Sequence, residues 1–409
     1  MDSSQQTGSV AIVRRKAPAA PRHLRKVLSL HDFETLARRH LPRSIFGYVS
    51  GGVEAEVTLR ANRAAYDRIA LQPRILRDVS ARSQRLSLFG QDHALPFAIA
   101  PMGFSSLAAY DGDVALAKAA RQAGSFAICS AATLTPLERV AAEGGSKWFQ
   151  CYIPGDRARI EALLSRVAAA GYDTLVVTGD VPVASNRENN ARNGFDAPFR
   201  ITPKLIWQGM THPRWTLGTL GREMRMRGMP HFENMEAVQG PPLFSRDLVR
   251  STIARDRLNW DDLRFIREIW TGRLLVKGVL HPGDAVIARN LGCDGIIVSN
   301  HGGRQLDGSV STLRVLPQIR AAVPDLVVIF DSGIRRGTDV LKALMLGADF
   351  TLVGRPFLYA AATHGVEGVV HAMRLLAEEV DRDMALLGVN SIAELRQEMP
   401  LMLPADWTV

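Results

Sequence analysis

Residues 327–356 read VVIFDSGIRRGTDVLKALMLGADFTLVGRP and contain two short apolar runs separated by an amphipathic stretch. The runs, VVIF from Val327 and FTLV from Phe350, do not alternate apolar and polar residues, which is typical of strands buried on both faces. The stretch from Gly337 to Leu346 has the apolar spacing of a helix. The segment therefore predicts a strand, a crossover helix and a second, parallel strand.

The same unit recurs along the chain. Eight apolar runs, each followed by a helical pattern, begin at Ala94, Ser125, Lys147, Thr174, Leu274, Gly295, Val327 and Phe350. Successive starts are 21 to 32 residues apart, except for a gap of 100 residues between the fourth and fifth runs. Eight regular units close a barrel, so we predict an α/β fold, a (β/α)8 TIM barrel with a long insertion after strand four. A doubly wound sheet is the alternative, but residues 100–104 (APMGF) are not its GxGxxG turn.

The regions around the predicted barrel differ from it in composition. Residues 1–27 are rich in Ala, Pro, Arg and Ser and predict a basic, disordered tail. His31 to Ser50 predicts an N-terminal helical layer that closes the bottom of the barrel. We expect the barrel domain over 28–390, with its insertion at 190–257, and a C-terminal extension at 391–409. An insertion of this length is usually functional or disordered.

The composition is that of a globular enzyme, with 409 residues of which 46% are hydrophobic and 22% charged. The net charge of +9 comes from two segments: residues 1–27 carry six Lys or Arg against one acid, and residues 192–231 carry seven against two. These segments are expected to meet an anionic partner, though not a nucleic acid. Cys129, Cys151 and Cys293 are isolated, which indicates a reducing compartment and no metal site. Because no apolar run is long enough to span a membrane, we expect a cytoplasmic protein.

Polar residues follow six successive strands, at the end where barrels build their active sites. For any one residue an ordinary loop position is the commoner explanation, but six polar endings in a row favour one shared site. The residues are Gln150, Tyr152, Thr178, Asp180, Lys277, Ser299, His301, Arg304, Asp331 to Arg335, Gly354 and Arg355.

Two glycine-rich turns follow strands seven and eight, DSGIRRG from Asp331 and GRP from Gly354. Glycine lets backbone N–H groups approach a phosphate, and arginine adds a bidentate partner. Barrels commonly hold a cofactor phosphate at this position. The turns therefore predict a phosphate site, with a plain turn as the alternative.

The loop after strand six, SNHGGRQLDG from Ser299, places His301 three residues before Arg304. Imidazole suits proton abstraction near neutral pH, and guanidinium matches a carboxylate. The pair predicts removal of a proton from the carbon beside a bound carboxylate. Asp180, after strand four, is expected to support the imidazolium.

These motifs, together with APMG at 100, FQCYI at 149, VTGDVP at 177 and VKGV at 276, resemble the FMN-dependent α-hydroxy-acid oxidase/dehydrogenase family over roughly residues 30 to 390. Within it they are most similar to the mandelate and bacterial lactate dehydrogenases. The resemblance implies FMN as cofactor and oxidation of an (S)-2-hydroxy acid to the 2-oxo acid. It also implies a homotetramer that passes electrons to quinone or another respiratory acceptor.

The resemblance further implies a role for each matching residue. Catalytic roles fall to His301 as acceptor of the α-proton, Asp180 as its support, Tyr152, and Lys277 at the N1/O2 edge of the flavin. Substrate contacts fall to Tyr48, Tyr152, Arg187, Arg304 and Ala132. Flavin and ribityl contacts fall to Pro101, Met102, Gly103, Ser130, Gln150, Thr178, Lys277 and Ser299. Phosphate-end contacts fall to Asp331, Ser332, Gly333, Ile334, Arg335, Gly354 and Arg355.

Two small residues and the insertion refine this expectation. Ala132 replaces a bulky tryptophan of glycolate-specific members, which opens the pocket to aromatic or branched side chains. Gly103 stands where oxidase members carry alanine, which favours a dehydrogenase. We expect residues 192–231 to bind peripherally to the inner face of the cell membrane, with a solvated lid as the alternative.

Three other functions are open at this point. An oxidase of the same fold would reoxidise FMN with oxygen and release hydrogen peroxide. A phosphate-binding barrel isomerase or aldolase would use Lys277 as a Schiff base without flavin. A non-catalytic binding module would have no use for His301, Asp180 and Arg304 together.

Overall fold

Eight parallel strands form one barrel in the computed structural model, which describes residues 21–145, 147–195, 201–243, 245 and 255–407. In chain order they are β1 Phe97–Ile99, β2 Ile128–Ser130, β3 Trp148–Cys151, β4 Thr174–Thr178, β5 Arg273–Val279, β6 Gly295–Val298, β7 Val327–Phe330 and β8 Phe350–Val353. Neighbouring strands pair in parallel from β2 to β8, and β8 pairs with β1. A parallel bridge from Ile99 to Ala127, beside β2, closes the ring. The predicted (β/α)8 barrel is confirmed.

Helices connect the strands on the outside of the barrel. They are Ser105–Ala108 and Gly112–Gln122, then Leu137–Ala142, Arg157–Ala169, Trp260–Ile269, Pro282–Asn290, Thr312–Ala322, Gly337–Met345 and Arg355–Leu387. Local sequence fixes their ends: Asn259 caps the helix Trp260–Ile269 by accepting from the Asp261 N–H at 2.7 Å, while the Asp262 carboxylate accepts from the Asn259 N–H at 2.9 Å. The helix Arg355–Leu387 bends at His364 and Gly365, where the dihedral angles leave the helical region.

Two apolar layers explain why the strand runs show no alternation. Inward-facing residues such as Val176, Ile297 and Ile329 pack inside the barrel, whereas outward-facing residues such as Leu175 and Val298 pack under the helices. Each buried aliphatic side chain contributes roughly 1.5–3 kcal/mol. Both faces of every strand are therefore buried.

The N-terminal helical layer lies at the carboxyl ends of the strands and not at the bottom of the barrel, where we predicted it. Its helices are Leu30–His40, Arg43–Ser50 and Val57–Asp67. Tyr48 and Val49 of the second helix line a cavity at the carboxyl ends of the strands. The opposite end is closed by the hairpin Leu86–Leu88 and Gln91–His93, whose Leu88 packs inside the barrel with Phe126. The predicted bottom position was wrong because helix patterns specify a buried face and not the surface that buries it.

The predicted tail 1–27 is too long at its C-terminal side. The 3₁₀ turn Arg22–Leu24 buries Leu24, and Val27 is buried close to it. The Val27 carbonyl lies 2.9 Å from Nε2 of His371. Residues 1–20 of the predicted tail lie outside the described residues.

The C-terminal residues pack back onto the domain. The helix Ile392–Glu398 is followed by the strand Leu401–Met402, which pairs with Ala70–Leu71 in antiparallel fashion. Trp407 is buried. The extension predicted at 391–409 thus ties the end of the chain to the N-terminal layer, as far as residue 407.

The insertion after β4 contains Glu188–Asn193, Pro203–Thr211, Pro213–Trp215, a π-helical turn Thr216–Gly221, Arg222–Arg227 and a 3₁₀ turn Arg255–Arg257. Buried polar contacts anchor it to the rest of the domain: for example, Trp215 donates from Nε1 to the Leu107 carbonyl at 2.8 Å, and Gln208 Oε1 accepts from the Ser44 N–H at 2.8 Å. Across the described part of the chain, we find no helix with the length and hydropathy of a membrane span.

Candidate active site

A cavity of about 610 Å³ opens at the carboxyl ends of the strands. All the residues proposed from the sequence line it except Asp180 and Ser299, which hydrogen-bond to residues that do. The lining members are Tyr48, Pro101, Met102, Gly103, Ser130, Ala132, Gln150, Tyr152, Thr178, Arg187, Lys277, His301, Arg304, Asp331, Ser332, Gly333, Ile334, Arg335, Gly354 and Arg355. The predicted residues are therefore brought together.

His301 and Asp180 form a hydrogen-bonded pair, with 2.9 Å between His301 Nδ1 and Asp180 Oδ1. His301 lines the cavity, and Nε2 is the ring nitrogen that Asp180 does not engage. Burial lowers the pKa of His301 more than the Asp180 carboxylate raises it. Burial alone would raise the pKa of Asp180, but the charges of His301 and Lys277 bring it below its usual value. The imidazole is thus neutral near pH 7, as a proton acceptor must be.

The backbone of the loop after β6 is strained to present this histidine. His301 has φ = 57°, in the left-handed region, and its N–H donates to Ser299 Oγ at 3.0 Å. Gly303 is also left-handed, and a Cβ there would lie 2.6 Å from the backbone nitrogen of Leu59. The second glycine of the motif is therefore required by close contact with the N-terminal layer.

Five arginines line the cavity, and none has a carboxylate partner among the residues that the structure describes: Arg187, Arg255, Arg304, Arg335 and Arg355. Arg304 donates to the carbonyls of Tyr48 at 2.7 Å and Gly51 at 2.9 Å, and Arg355 donates to Val49 and Gly51 at 3.0 Å. Arg187 donates to Gln305 Oε1 at 2.7 Å. Burial lowers the pKa of Arg304 to about 9 and that of Arg355 to about 10. A cluster of buried cations without counterions favours binding of anions.

Lys277 lies under the cavity at the end of β5. Its Nζ donates to Ser299 Oγ at 2.8 Å and is 3.4 Å from Asp331 Oδ2. Burial lowers the pKa of Lys277, but Asp331 and Asp180 raise it more, so the amine is charged. A Schiff-base lysine must be neutral to attack a carbonyl, which argues against the aldolase alternative.

Several lining residues were missed by the sequence analysis. Phe104, Phe195 and Phe232 form an aromatic wall with Tyr48, whose ring stacks on Phe195 at 4.3 Å between centroids. Arg255, at the end of the insertion, also lines the cavity. Phe104 follows β1 but carries no polar group that would mark it, and no periodicity marks Phe195, Phe232 and Arg255 in the irregular insertion.

The helix Val57–Asp67 connects the histidine loop to the turn after β7, a second feature that the sequence did not reveal. The side-chain amides of Asn62 and Asn300 exchange hydrogen bonds of 2.9 and 2.8 Å. Tyr66 donates from its hydroxyl to the Ser332 carbonyl at 2.9 Å, and Arg63 donates to the Gly333 carbonyl. One helix thus fixes the relative positions of the two loops.

Comparison with known families agrees with this geometry. The sequence profile of the FMN-dependent dehydrogenases matches residues 37–401. The chain belongs to that family. FMN-dependent dehydrogenases of similar sequence include the L-lactate dehydrogenase of Azorhizobium caulinodans, 40% identical over 92% of this chain and 99% of that protein. The L-lactate dehydrogenase of Pectobacterium atrosepticum is 40% identical over 90% of this chain and 95% of its own length.

Solved structures of the same fold are also similar. The monotopic membrane protein (S)-mandelate dehydrogenase superposes with a TM-score of 0.87 at 35% identity, covering 93% of this chain and 100% of that one. Mandelate oxidase superposes with a TM-score of 0.74 at 36% identity, covering 90% and 97% of the two chains. This FMN-dependent dehydrogenase is accordingly an oxidoreductase that acts on hydroxy acids. The predicted family, cofactor and enzyme class are confirmed, and an isomerase, aldolase or binding module is excluded.

The cavity of this FMN-dependent dehydrogenase fits its cofactor. Nε2 of Gln150 and Oγ1 of Thr178 are buried and have no hydrogen-bond partner in the described part of the chain, although both residues line the cavity. Buried polar atoms are normally paired, and the isoalloxazine edge supplies both donors and acceptors. The two orphaned atoms therefore match what a flavin ring offers.

Proposed function

We propose that the enzyme oxidises an (S)-2-hydroxy acid, mandelate-like or lactate-like, to the 2-oxo acid and passes the electrons to quinone or another respiratory acceptor. The observation that carries this proposal is the His301–Asp180 pair, which faces the same cavity as Arg304 and Arg187. A base beside unpaired guanidinium groups suits a substrate that bears a carboxylate next to the reacting carbon.

The residues divide into cofactor-binding and substrate-binding sets. When bound, FMN accepts the two electrons that leave the substrate. We assign its ring and ribityl chain to Pro101, Met102, Gly103, Ser130, Gln150, Thr178, Lys277 and Ser299. We assign its phosphate end to Asp331, Ser332, Gly333, Ile334, Arg335, Gly354 and Arg355.

The chain's own groups then perform three tasks on the substrate. Arg304 and Arg187 bind the carboxylate, and Tyr48 and Tyr152 contact the hydroxy acid. Nε2 of His301 takes the proton that leaves the substrate, because Nδ1 is already engaged by Asp180. The Asp180 carboxylate stabilises the imidazolium that results. Lys277 supplies positive charge beside the flavin.

An aromatic or branched side chain on the substrate is favoured by two features of the cavity. Phe104, Phe195 and Phe232 line one side of it. Ala132 faces Gly103, where an added Cβ would lie 2.8 Å from the Cβ of Ala132. These two small residues form one wall, and larger side chains there would reduce the space.

The test is anaerobic mixing of the purified holoenzyme with achiral glycolate, (S)-lactate and (S)-mandelate while flavin absorbance is followed. We expect the (S)-acids to bleach the flavin, with mandelate fastest, and the (R)-enantiomers to serve as controls. A yellow enzyme that none of the acids bleaches would refute the proposed substrate class.

Asp180→Asn is expected to keep FMN bound and to slow flavin reduction by about 10²-fold, because the imidazolium loses its supporting charge. In the wild type, kcat/KM should fall as pH drops through the His301 pKa, since only the neutral imidazole accepts a proton. Asp180 raises that pKa, so its loss should move the acid limb to lower pH. The pH profile of kcat/KM measures this, and an unmoved limb would contradict the role of Asp180.

An oxidase of the same fold is the second candidate, because mandelate oxidase is among the similar structures. The two activities differ only in what reoxidises FMN. Hydrogen peroxide yield in air, compared with reduction of a quinone analogue, separates them. Stoichiometric peroxide would replace the dehydrogenase proposal with the oxidase.

We also propose that residues 192–231 bind peripherally to the anionic inner face of the cell membrane. The enzyme attached there would be a homotetramer. Among the described residues, the helices of this segment expose Trp207 (65%), Met210 (68%) and Leu217 (74%) to solvent. Lys204 and Arg214 are exposed on the same segment. Apolar side chains flanked by basic residues are typical of interfacial helices. The similar mandelate dehydrogenase is a monotopic membrane protein.

Trp207→Glu is expected to reduce co-sedimentation with anionic vesicles about tenfold, since an exposed aromatic ring that would enter the lipid interface is replaced by a charge that the anionic surface repels. Leu386→Glu, at a comparably exposed leucine outside the insertion, is the matched control and should sediment like the wild type. Equal sedimentation of Trp207→Glu and the wild type would remove the interface proposal and favour a solvated lid.

A further inference from the structure

Arg255 is a buried cation whose role the proposed function leaves open. It begins the 3₁₀ turn Arg255–Arg257, where the insertion returns to the barrel. Only 8% of the residue is exposed, and it lines the cavity. Its guanidinium carbon lies 4.7 Å from the centroid of the Tyr152 ring.

Within the described ranges, Arg255 has no carboxylate and no hydrogen-bond acceptor. The other cavity arginines differ in this respect, because Arg304, Arg335 and Arg355 donate to backbone carbonyls and Arg187 donates to Gln305. A guanidinium above an aromatic ring uses its face for the π-system, whereas its five N–H donors point outward in its plane. Those donors remain available to something inside the cavity.

The contact of Arg255 with Tyr152 locates Arg255 relative to the proposed reaction. Tyr152 lines the same cavity as His301 and Arg304, which places its ring beside the groups assigned to the reaction. Arg255 contacts the same ring from the insertion. It therefore shares the cavity with His301 and lies against a residue that we assign to the substrate.

We infer that Arg255 is a second anion-binding group, which selects 2-hydroxy acids whose side chain ends in another carboxylate. This inference rests on the proposed function and names its substrate class: 2-hydroxy dicarboxylic acids, with an aryl or alkyl side chain. A desolvated guanidinium without an acceptor is costly, and a second carboxylate would supply bidentate, charge-assisted hydrogen bonds. Arg304 and Arg187 would bind the first carboxylate.

The experiment compares substrates that match in shape and differ in charge. The pairs are (S)-4-carboxymandelate with (S)-4-methylmandelate, and (S)-2-hydroxyglutarate with (S)-2-hydroxyhexanoate. We expect the wild type to prefer the dicarboxylate of each pair. In Arg255→Met the ratio of kcat/KM values, dicarboxylate over neutral partner, should fall about 10- to 100-fold, the value of a charged hydrogen bond. Arg255→Lys should give an intermediate ratio, since it keeps the charge and loses the bidentate geometry.

Arg257→Met is the matched control, because Arg257 lies two residues away on the same turn and is exposed. Its ratio should equal that of the wild type. Two results would overturn the inference: a wild type that favours the neutral substrate of each pair, or an Arg255→Met ratio equal to the wild-type ratio. Water would then be the hydrogen-bond acceptor of Arg255. Bleaching by the monocarboxylic acids would still support the proposed function, so the two failures are distinguishable. If Arg255→Met does not fold, the wild-type and Arg255→Lys ratios decide.

Discussion

Replacing His301 by asparagine is expected to slow the reduction of bound FMN by substrate about 10⁴-fold, the largest effect of any single change in the cavity. Asparagine preserves a hydrogen bond to Asp180 but has no basic nitrogen at the position of Nε2. The proton on the substrate would then have lost the base that we assign to it. Stopped-flow absorbance under anaerobic conditions, at saturating substrate, measures the reduction step alone.

The flavin content of the His301→Asn protein should match the wild type, because His301 is not assigned to FMN binding. His31→Asn is the control for a general effect of the substitution, since His31 is exposed on the N-terminal layer. Reduction by His301→Asn at a rate within tenfold of the wild type would disprove its role as the base.

Replacing Arg304 by methionine is expected to lower kcat/KM about 10³-fold for a 2-hydroxy acid, because a buried carboxylate loses its charged partner. Arg304 also donates to the carbonyls of Tyr48 and Gly51, so it holds the N-terminal layer against the histidine loop. Part of the loss will therefore appear as a lower kcat, because the base His301 would be misplaced. Steady-state kinetics with separate KM and kcat values distinguish the two contributions.

The 2-hydroxy amide of the same side chain provides the internal control for Arg304. The wild type should strongly prefer the acid over the amide, and Arg304→Met should discriminate little, since the amide carries no charge to pair. If the variant keeps the wild-type preference for the acid, another group binds the carboxylate, and Arg187 is the first to examine.

The barrel and most of the cavity could be predicted because both depend on local sequence. Apolar runs buried on two faces identify strands such as β4 and β7 without knowledge of the fold. Once eight strands are placed, every residue at a carboxyl end faces one site, so Gln150 and Lys277 are found together although 127 positions separate them in the chain.

Contacts that depend on packing could not be predicted in this way. The amphipathic patterns of the N-terminal helices specify that one face is buried, but not that Tyr48 would reach the active-site end of the barrel. Phe195, Phe232 and Arg255 belong to an insertion without periodicity, and their position follows from anchors such as Trp215 on Leu107. Sequence patterns carry no information about such contacts.

The pairing of Asn62 with Asn300 has a consequence for biosynthesis, since 238 positions separate the two residues. At about 5–20 residues per second, the ribosome needs tens of seconds to make the intervening chain. The strand Ala70–Leu71 pairs with Leu401–Met402, which is synthesised later still. Throughout that interval the helix Val57–Asp67 lacks the loop contacts that Asn62 and Tyr66 make in the folded protein. FMN can be captured only after nearly the whole polypeptide has left the ribosome, which makes cofactor loading a post-translational step.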